Sequence, residues 1–236
     1  MANIFNTFLY QPIFTALVFT YEHIAFESLG LAIILITIAI RIILFPLFYK
    51  QAETQAVMQK VQPKLKKIKD DHKDDKERQM TETMKLYKDH KINPFSGFLV
   101  LLVQLPILIG LYRVLLKEIP GTIFDNALFL GFIDLSVRSM PIAVIAAALQ
   151  YVHAKMSMAS AKTHAGEGPA ASAGKMMMYI APGITLAILT TLPAALGIYW
   201  LTSTVFSIGQ QVIVNKKIEA REENEGTGEQ LAANNS

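Results

Sequence analysis

The sequence predicts an all-α polytopic membrane protein with five transmembrane helices, an N-terminal amphipathic helix and a cytoplasmic helical hairpin. Three observations carry that expectation. The 236 residues are 52% hydrophobic and 17% charged, and the charge gathers in a few stretches instead of interleaving at helical or strand period. Between those stretches run apolar segments that approach or exceed the roughly 18 residues of a membrane-spanning helix. Lysine and arginine fall on alternate connections, the pattern of a chain threaded back and forth across a bilayer. The mean hydropathy of +0.35 agrees. An ordinary soluble enzyme is not expected. With no cysteine, a disulfide scaffold, a thiol nucleophile and Cys-ligated metal sites are excluded. A net charge of +3 says less than its distribution.

Residues 1–28 carry no lysine or arginine. Ile4, Phe5, Phe8, Leu9, Ile13, Leu17 and Val18 give an apolar face interrupted by Pro12, and Glu22, His23 and Glu27 follow closely. An amphipathic helix lying in the outer interface fits better than a sixth span. No basic n-region or cleavage pattern suggests a removed signal peptide. The five spans are read at 29–49, 95–116, 135–155, 176–192 and 194–214. The fourth is the shortest. The 50–93 connection holds twelve basic residues, 117–138 only Lys117 and Arg138 at its ends, and the third connection Lys155, Lys162 and Lys175. This bias places the N-terminus outside and the 50–93, 156–175 and 215–236 segments in the cytoplasm.

Within 50–93, Met58, Val61, Leu65 and Ile68 form one narrow apolar seam, and Met80, Met84 and Tyr87 a second. The charged stretch Asp70 to Asp75 between them suits a turn, so the segment is read as a hairpin whose seams face each other. Pro63 is expected to bend the first arm or to start a new helix. The Met156–Lys175 loop, rich in Ala, Ser, Gly and Thr, is expected to be mobile.

Arg41 is the most informative residue. It lies about twelve residues into the first span, where arginine costs roughly 2.5–3.5 kcal/mol on insertion-derived scales. Snorkelling does not easily remove it, and no predicted span offers a carboxylate partner. A hydrated cavity holding an uncompensated positive charge is the better reading than a buried ion pair. Gln104, Gln150, Thr202, Ser203, Thr204, Ser207 and Gln210 could line such a cavity, although membrane amides and hydroxyls often serve only as interhelical hydrogen bonds. Tyr199 and Trp200 read equally as an interfacial belt. The sequence contains no GxxxxGK[ST] loop, HExxH spacing or GxSxG signature, and the five histidines are scattered. No enzyme activity, nucleotide, metal or other cofactor is expected.

The segments Arg41–Ile42–Ile43–Leu44–Phe45–Pro46–Leu47, Met58 to Pro63, Asn93–Pro94–Phe95–Ser96–Gly97, Gln104–Leu105–Pro106–Ile107 and Pro193 to Thr202 occur in that order across five spans. In this arrangement the chain resembles the YidC/Oxa/Alb membrane protein insertases, in the short bacterial form without a large extracytoplasmic domain. The resemblance implies a positively charged hydrophilic groove open to the cytoplasm and lipid but closed outside. Arg41 would be its groove arginine, and Gln150 and Trp200 groove positions of the third and fifth spans; with Gln104, Thr202 and Gln210 from the polar span residues, these are the expected substrate-binding positions. It implies an insertase and chaperone for nascent membrane proteins, working among membrane lipids without nucleotide hydrolysis in a bacterial inner or plasma membrane. The ribosome and the Sec translocon are candidate partners. The acidic tail after Arg221 disfavours tail-mediated ribosome docking and leaves the basic hairpin as the better candidate. Without cysteine, the lipoprotein anchor of many short members is not expected. Rival readings are a small anion-binding transporter or channel, for which no internal repeat is visible, and a non-translocating assembly scaffold.

Overall fold

The computed structural model describes residues 6–93, 96–118, 124, 127–159 and 169–234. Side chains at 96–101, 158–159, 169–175, 177 and 221–234 lie outside that description. The described chain is mostly helical. A π-helical turn Asn6–Tyr10 leads into α1 (Gln11–His23), followed by α2 (Leu29–Ile43), α3 (Phe45–Asp71), α4 (Lys76–Asp89) and α5 (Ser96–Glu118). A two-stranded ribbon, β1 (Leu128–Phe129) and β2 (Ile133–Asp134), precedes α6 (Met140–Ala159), α7 (Pro169–Leu189) and α8 (Ala194–Asn234).

Local chemistry explains the boundaries. Ser28, extended, caps α2 by accepting from the Leu31 amide at 3.4 Å. The first span was expected to run unbroken to Tyr49, but α2 ends at Ile43 and α3 leaves at 69°. Pro46 sits in the first turn of α3, where its missing N–H costs nothing and its ring cannot continue the preceding helix. Pro63, expected to bend the first arm or start a new helix, starts none: it lies inside α3 on its exposed side, where solvent can satisfy the freed carbonyl. Asp75 caps α4 through the Arg78 amide at 2.9 Å.

The hairpin of α3 and α4 forms, with Gln79 Nε2 donating to the Lys69 carbonyl at 3.2 Å. Its second seam differs from expectation: Met80 and Met84 are 67% and 55% exposed. The half-buried positions of α4 are Gln79, Glu82, Thr83, Leu86 and Tyr87, with His90 just past its end, so Tyr87 alone of the expected seam joins a mostly polar contact face. The 128–134 ribbon was not expected at all. Three residues, Leu130 to Phe132, join its strands; Leu130 and Gly131 lie at φ +55° and +79° inside a turn closed by the Phe132 amide donating to the Phe129 carbonyl at 3.3 Å.

α8 was expected to end near Val214, yet it continues as one helix to Asn234. Residues 160–168, the centre of the loop expected to be mobile, lie outside the described set, as do Ile4, Phe5, Pro94 and Phe95. Among the described residues no single helix is long and apolar enough to cross a membrane; the bent pair α2–α3 taken together meets that measure by length and composition alone.

The elements give the molecule two unlike ends. At one, the starts of α2 and α8 meet the ribbon: the Ala194 and Ala195 amides donate to the Val137 and Leu135 carbonyls at 2.7 and 3.1 Å. Gly30 lies against the Phe129 ring, where a β-carbon would collide. At the other, α8 crosses the ends of α3 and α6: Asn215 Nδ2 donates to the Met156 carbonyl at 3.2 Å, and Lys217 pairs with Glu53 at 3.9 Å.

Candidate functional site

The ribbon end is sealed by an apolar cluster in which Leu17, Leu29, Ile33, Val114, Leu115, Leu135 and Leu196 are essentially inaccessible. One to two turns further along the same helices the character changes. A cavity of about 300 Å³ opens between α2, α3, α5, α6 and α8, and polar side chains point into it. α2 contributes Arg41; α5, Gln104; α6, Gln150 and His153; α8, Tyr199, Trp200, Ser203, Thr204 and Ser207. The α8 set follows from periodicity: Tyr199, Ser203 and Ser207 are four residues apart, and Trp200 and Thr204 lie beside them on the same face.

Arg41 organises the site. It is 8% exposed; Nε donates to Ser203 Oγ at 2.9 Å, and Nη2 donates to the same oxygen. Its guanidinium lies 4.2 Å over the Phe48 ring. Among the described residues, Nη1 is buried without a hydrogen-bond partner and no Asp or Glu lines the cavity, so the charge is uncompensated there. Gln104 Nε2 donates to Tyr199 Oη, tying α5 to α8 across the cavity floor. Thr204 Oγ1 donates to the Trp200 carbonyl at 2.9 Å, and Ser207 Oγ to the Ser203 carbonyl at 3.0 Å. Such self-satisfied hydroxyls keep the wall polar without demanding a partner.

Of the six expected substrate-binding residues, Arg41, Gln104, Gln150 and Trp200 meet around this cavity. Thr202 and Gln210 do not line it. Thr202 donates to the Ile198 carbonyl at 2.8 Å and faces a separate, outward apolar groove with Ile34, Ile38, Val205 and Phe206. Gln210 is on the cavity side of α8 but is buried beyond it, donating to the Phe45 carbonyl at 3.4 Å. Phe48, Tyr199 and His153 were not nominated. The four-residue spacing Tyr199–Ser203 and the three-residue spacing Gln150–His153 are the signals that could have added the last two.

A family model described as the 60Kd inner membrane protein matches residues 19–222. The chain belongs to that family. It is 34% identical over 211 residues to a protein of Syntrophus aciditrophicus named membrane protein insertase YidC, covering 89% of this chain and 36% of that one. A protein of the same name from Geobacter sp. (strain M21) is 33% identical, over 89% of this chain and 37% of its own. One from Alcanivorax borkumensis is 34% identical, over 90% and 37%. The chain thus spans little more than a third of the length of these curated relatives. Family membership makes it an inner membrane protein related to membrane protein insertases.

Proposed function

We propose that the chain inserts and helps fold nascent membrane proteins, using the Arg41 cavity as a positively charged groove open to the cytoplasm and to lipid. The observation that carries this reading is the buried Arg41 guanidinium, with one nitrogen unpartnered and no carboxylate among the described residues that line its cavity. A buried cation is kept at a cost unless something arrives to use it. An acidic or polar client tail is such a partner. Its passage across hydrocarbon is opposed by desolvation, and a hydrated recess shortens the dry path. The client's own apolar helix then enters lipid and supplies the free energy, so no nucleotide is consumed. The membrane potential adds roughly 2.3 kcal/mol per charge per 100 mV.

In this reading the ribbon end faces outward and the α3–α4 hairpin inward, as the Lys and Arg counts require. The five spans are the α2–α3 bend, α5, α6, α7 and the first half of α8. The apolar seal at the ribbon end favours a recess over a through-channel. Nascent membrane proteins are the substrates, lipids the surroundings, and the basic hairpin the surface offered to a ribosome.

The test uses proteoliposomes containing only this protein and a single-span client with a short acidic N-terminal tail. Wild type is expected to protect the tail from protease without ATP. Arg41→Lys should retain much of the activity and Arg41→Ala should lose it. Protection no better than in empty liposomes would defeat the reading.

A further inference from the structure

Beside Arg41 the cavity holds a second group able to carry positive charge that the groove reading leaves unused. His153 of α6 lines the same wall and makes no hydrogen bond or ion pair among the described residues. The charged and titratable groups around it are few. α2 presents Arg41 and α8 presents Tyr199, whose oxygen accepts from Gln104 of α5; α3 adds only Phe48 and Gln51. On α6 itself, Tyr151 packs against Tyr179 of α7 and Lys155 is exposed. Arginine keeps its proton throughout the physiological range, whereas imidazole gains or loses one there. With no carboxylate among the described residues of the wall, two like charges would share one small cavity uncompensated.

We propose that His153 is the second anion-binding group of this cavity, so that an acidic client segment enters together with a proton taken up by the imidazole. The inference rests on the groove reading above and narrows its substrate class. Arg41 supplies one positive group at the cavity wall for a carboxylate. An imidazole protonated from solvent offers the other, and the entering negative charge is what makes the second positive charge tolerable. A segment with one or two Asp or Glu residues is then favoured over an amide-bearing one, and increasingly so as pH falls from 8 to 6. The client's own carboxylates titrate well below that window.

Trp200 is the only tryptophan in the chain and lines the cavity, so its fluorescence reports occupancy directly. The full chain in nanodiscs would be titrated with a short Asp-bearing peptide and with its Asn counterpart between pH 6 and 8. For wild type, affinity for the Asp peptide should rise about fivefold or more as pH falls. His153→Gln should bind at the weak, high-pH level at every pH, and His153→Arg tightly with little pH dependence. The Asn peptide should bind weakly throughout. An unchanged Trp200 emission maximum and melting temperature establish that each variant is folded.

A His153→Gln protein that keeps the wild-type pH slope overturns the inference, as does a flat wild-type profile. If Arg41→Gln still separates Asp from Asn peptides as wild type does, the groove reading itself fails. If Arg41→Gln loses that discrimination while His153→Gln keeps the slope, only the present inference falls.

Discussion

The same three helices, α2, α5 and α8, build a sealed apolar end and, one or two turns later, a polar cavity around an unpaired cation. Ile33 and Arg41 are eight residues apart on α2, and Leu196 and Ser203 seven apart on α8. At about 1.5 Å per residue each change of character takes place within roughly 12 Å. The sealed end gains from close packing and tolerates no polarity. The cavity sacrifices packing and charge compensation, which is the signature of a site kept for something that comes and goes. Substitutions should therefore separate the two regions cleanly: stability is lost at one, client handling at the other.

The largest effect is expected from placing charge in the seal. Leu196→Asp buries an unpaired carboxylate in the apolar cluster and should destabilise the protein by about 3 kcal/mol, the scale of a buried charge without a partner. Denaturation in mixed micelles measures it. Leu196→Ala should cost less than about 2 kcal/mol, the lower end of the soluble Leu→Ala series, because lipid solvates the exposed apolar atoms about as well as the core did. If the two variants unfold alike, the seal is not the dry region described.

Gly30→Ala sharpens the same point by overpacking. The new β-carbon meets the Phe129 ring, which must shift to make room. A loss of about 1–3 kcal/mol is expected. Phe129→Leu in the same chain should recover part of it. Arg41→Leu is the converse case. Removing a buried cation that lacks a compensating charge should leave thermal stability unchanged or raised, although client insertion is lost. A large drop in melting temperature would mean that Arg41 is structural.

Much of this division was legible in the sequence. Arg41 stood out because it is costly inside an apolar run, and the hairpin because charge and turn residues separate two amphipathic segments. What stayed hidden depended on angles and partners. The break at Leu44 was masked by apolar residues on both sides, with Pro46 as the only sign. Composition alone could not say which hydroxyls of α8 face inward, and helical phase excludes Thr202 while admitting Tyr199 and Ser203. The ribbon was missed because Leu130, not glycine or asparagine, occupies a left-handed position in its turn. The polar contact face of α4 could not be read from its methionines, which point away.

That helical phase gives a smaller but direct contrast. A photo-crosslinker at Thr204 should capture the acidic tail of a client arrested during insertion, whereas one at Thr202, on the opposite face, should capture the tail several-fold less and lipid instead. Equal capture of the tail at both positions would mean that the outward groove, not the Arg41 cavity, holds it.

The smallest expected effect lies on the sealed end, outside the membrane-spanning segments. Asp134 accepts from the Ser136 amide at 2.8 Å and from its hydroxyl at 2.5 Å, and these bonds hold its carboxyl below the usual carboxylate range. A carboxylate depressed on folding stabilises the ribbon above its unfolded value, about 3.9, and that contribution is lost as pH falls through the folded value. Hydrogen exchange at the Ser136 amide should therefore show undiminished protection from pH 8 to about 5 and extra opening only below about 4. Asp134→Asn should remove that acid-induced step while leaving the Arg41 cavity's client binding unchanged. A change in client binding would mean that the two regions are coupled through α6, whose first turn follows the ribbon, and that the seal is part of the working mechanism.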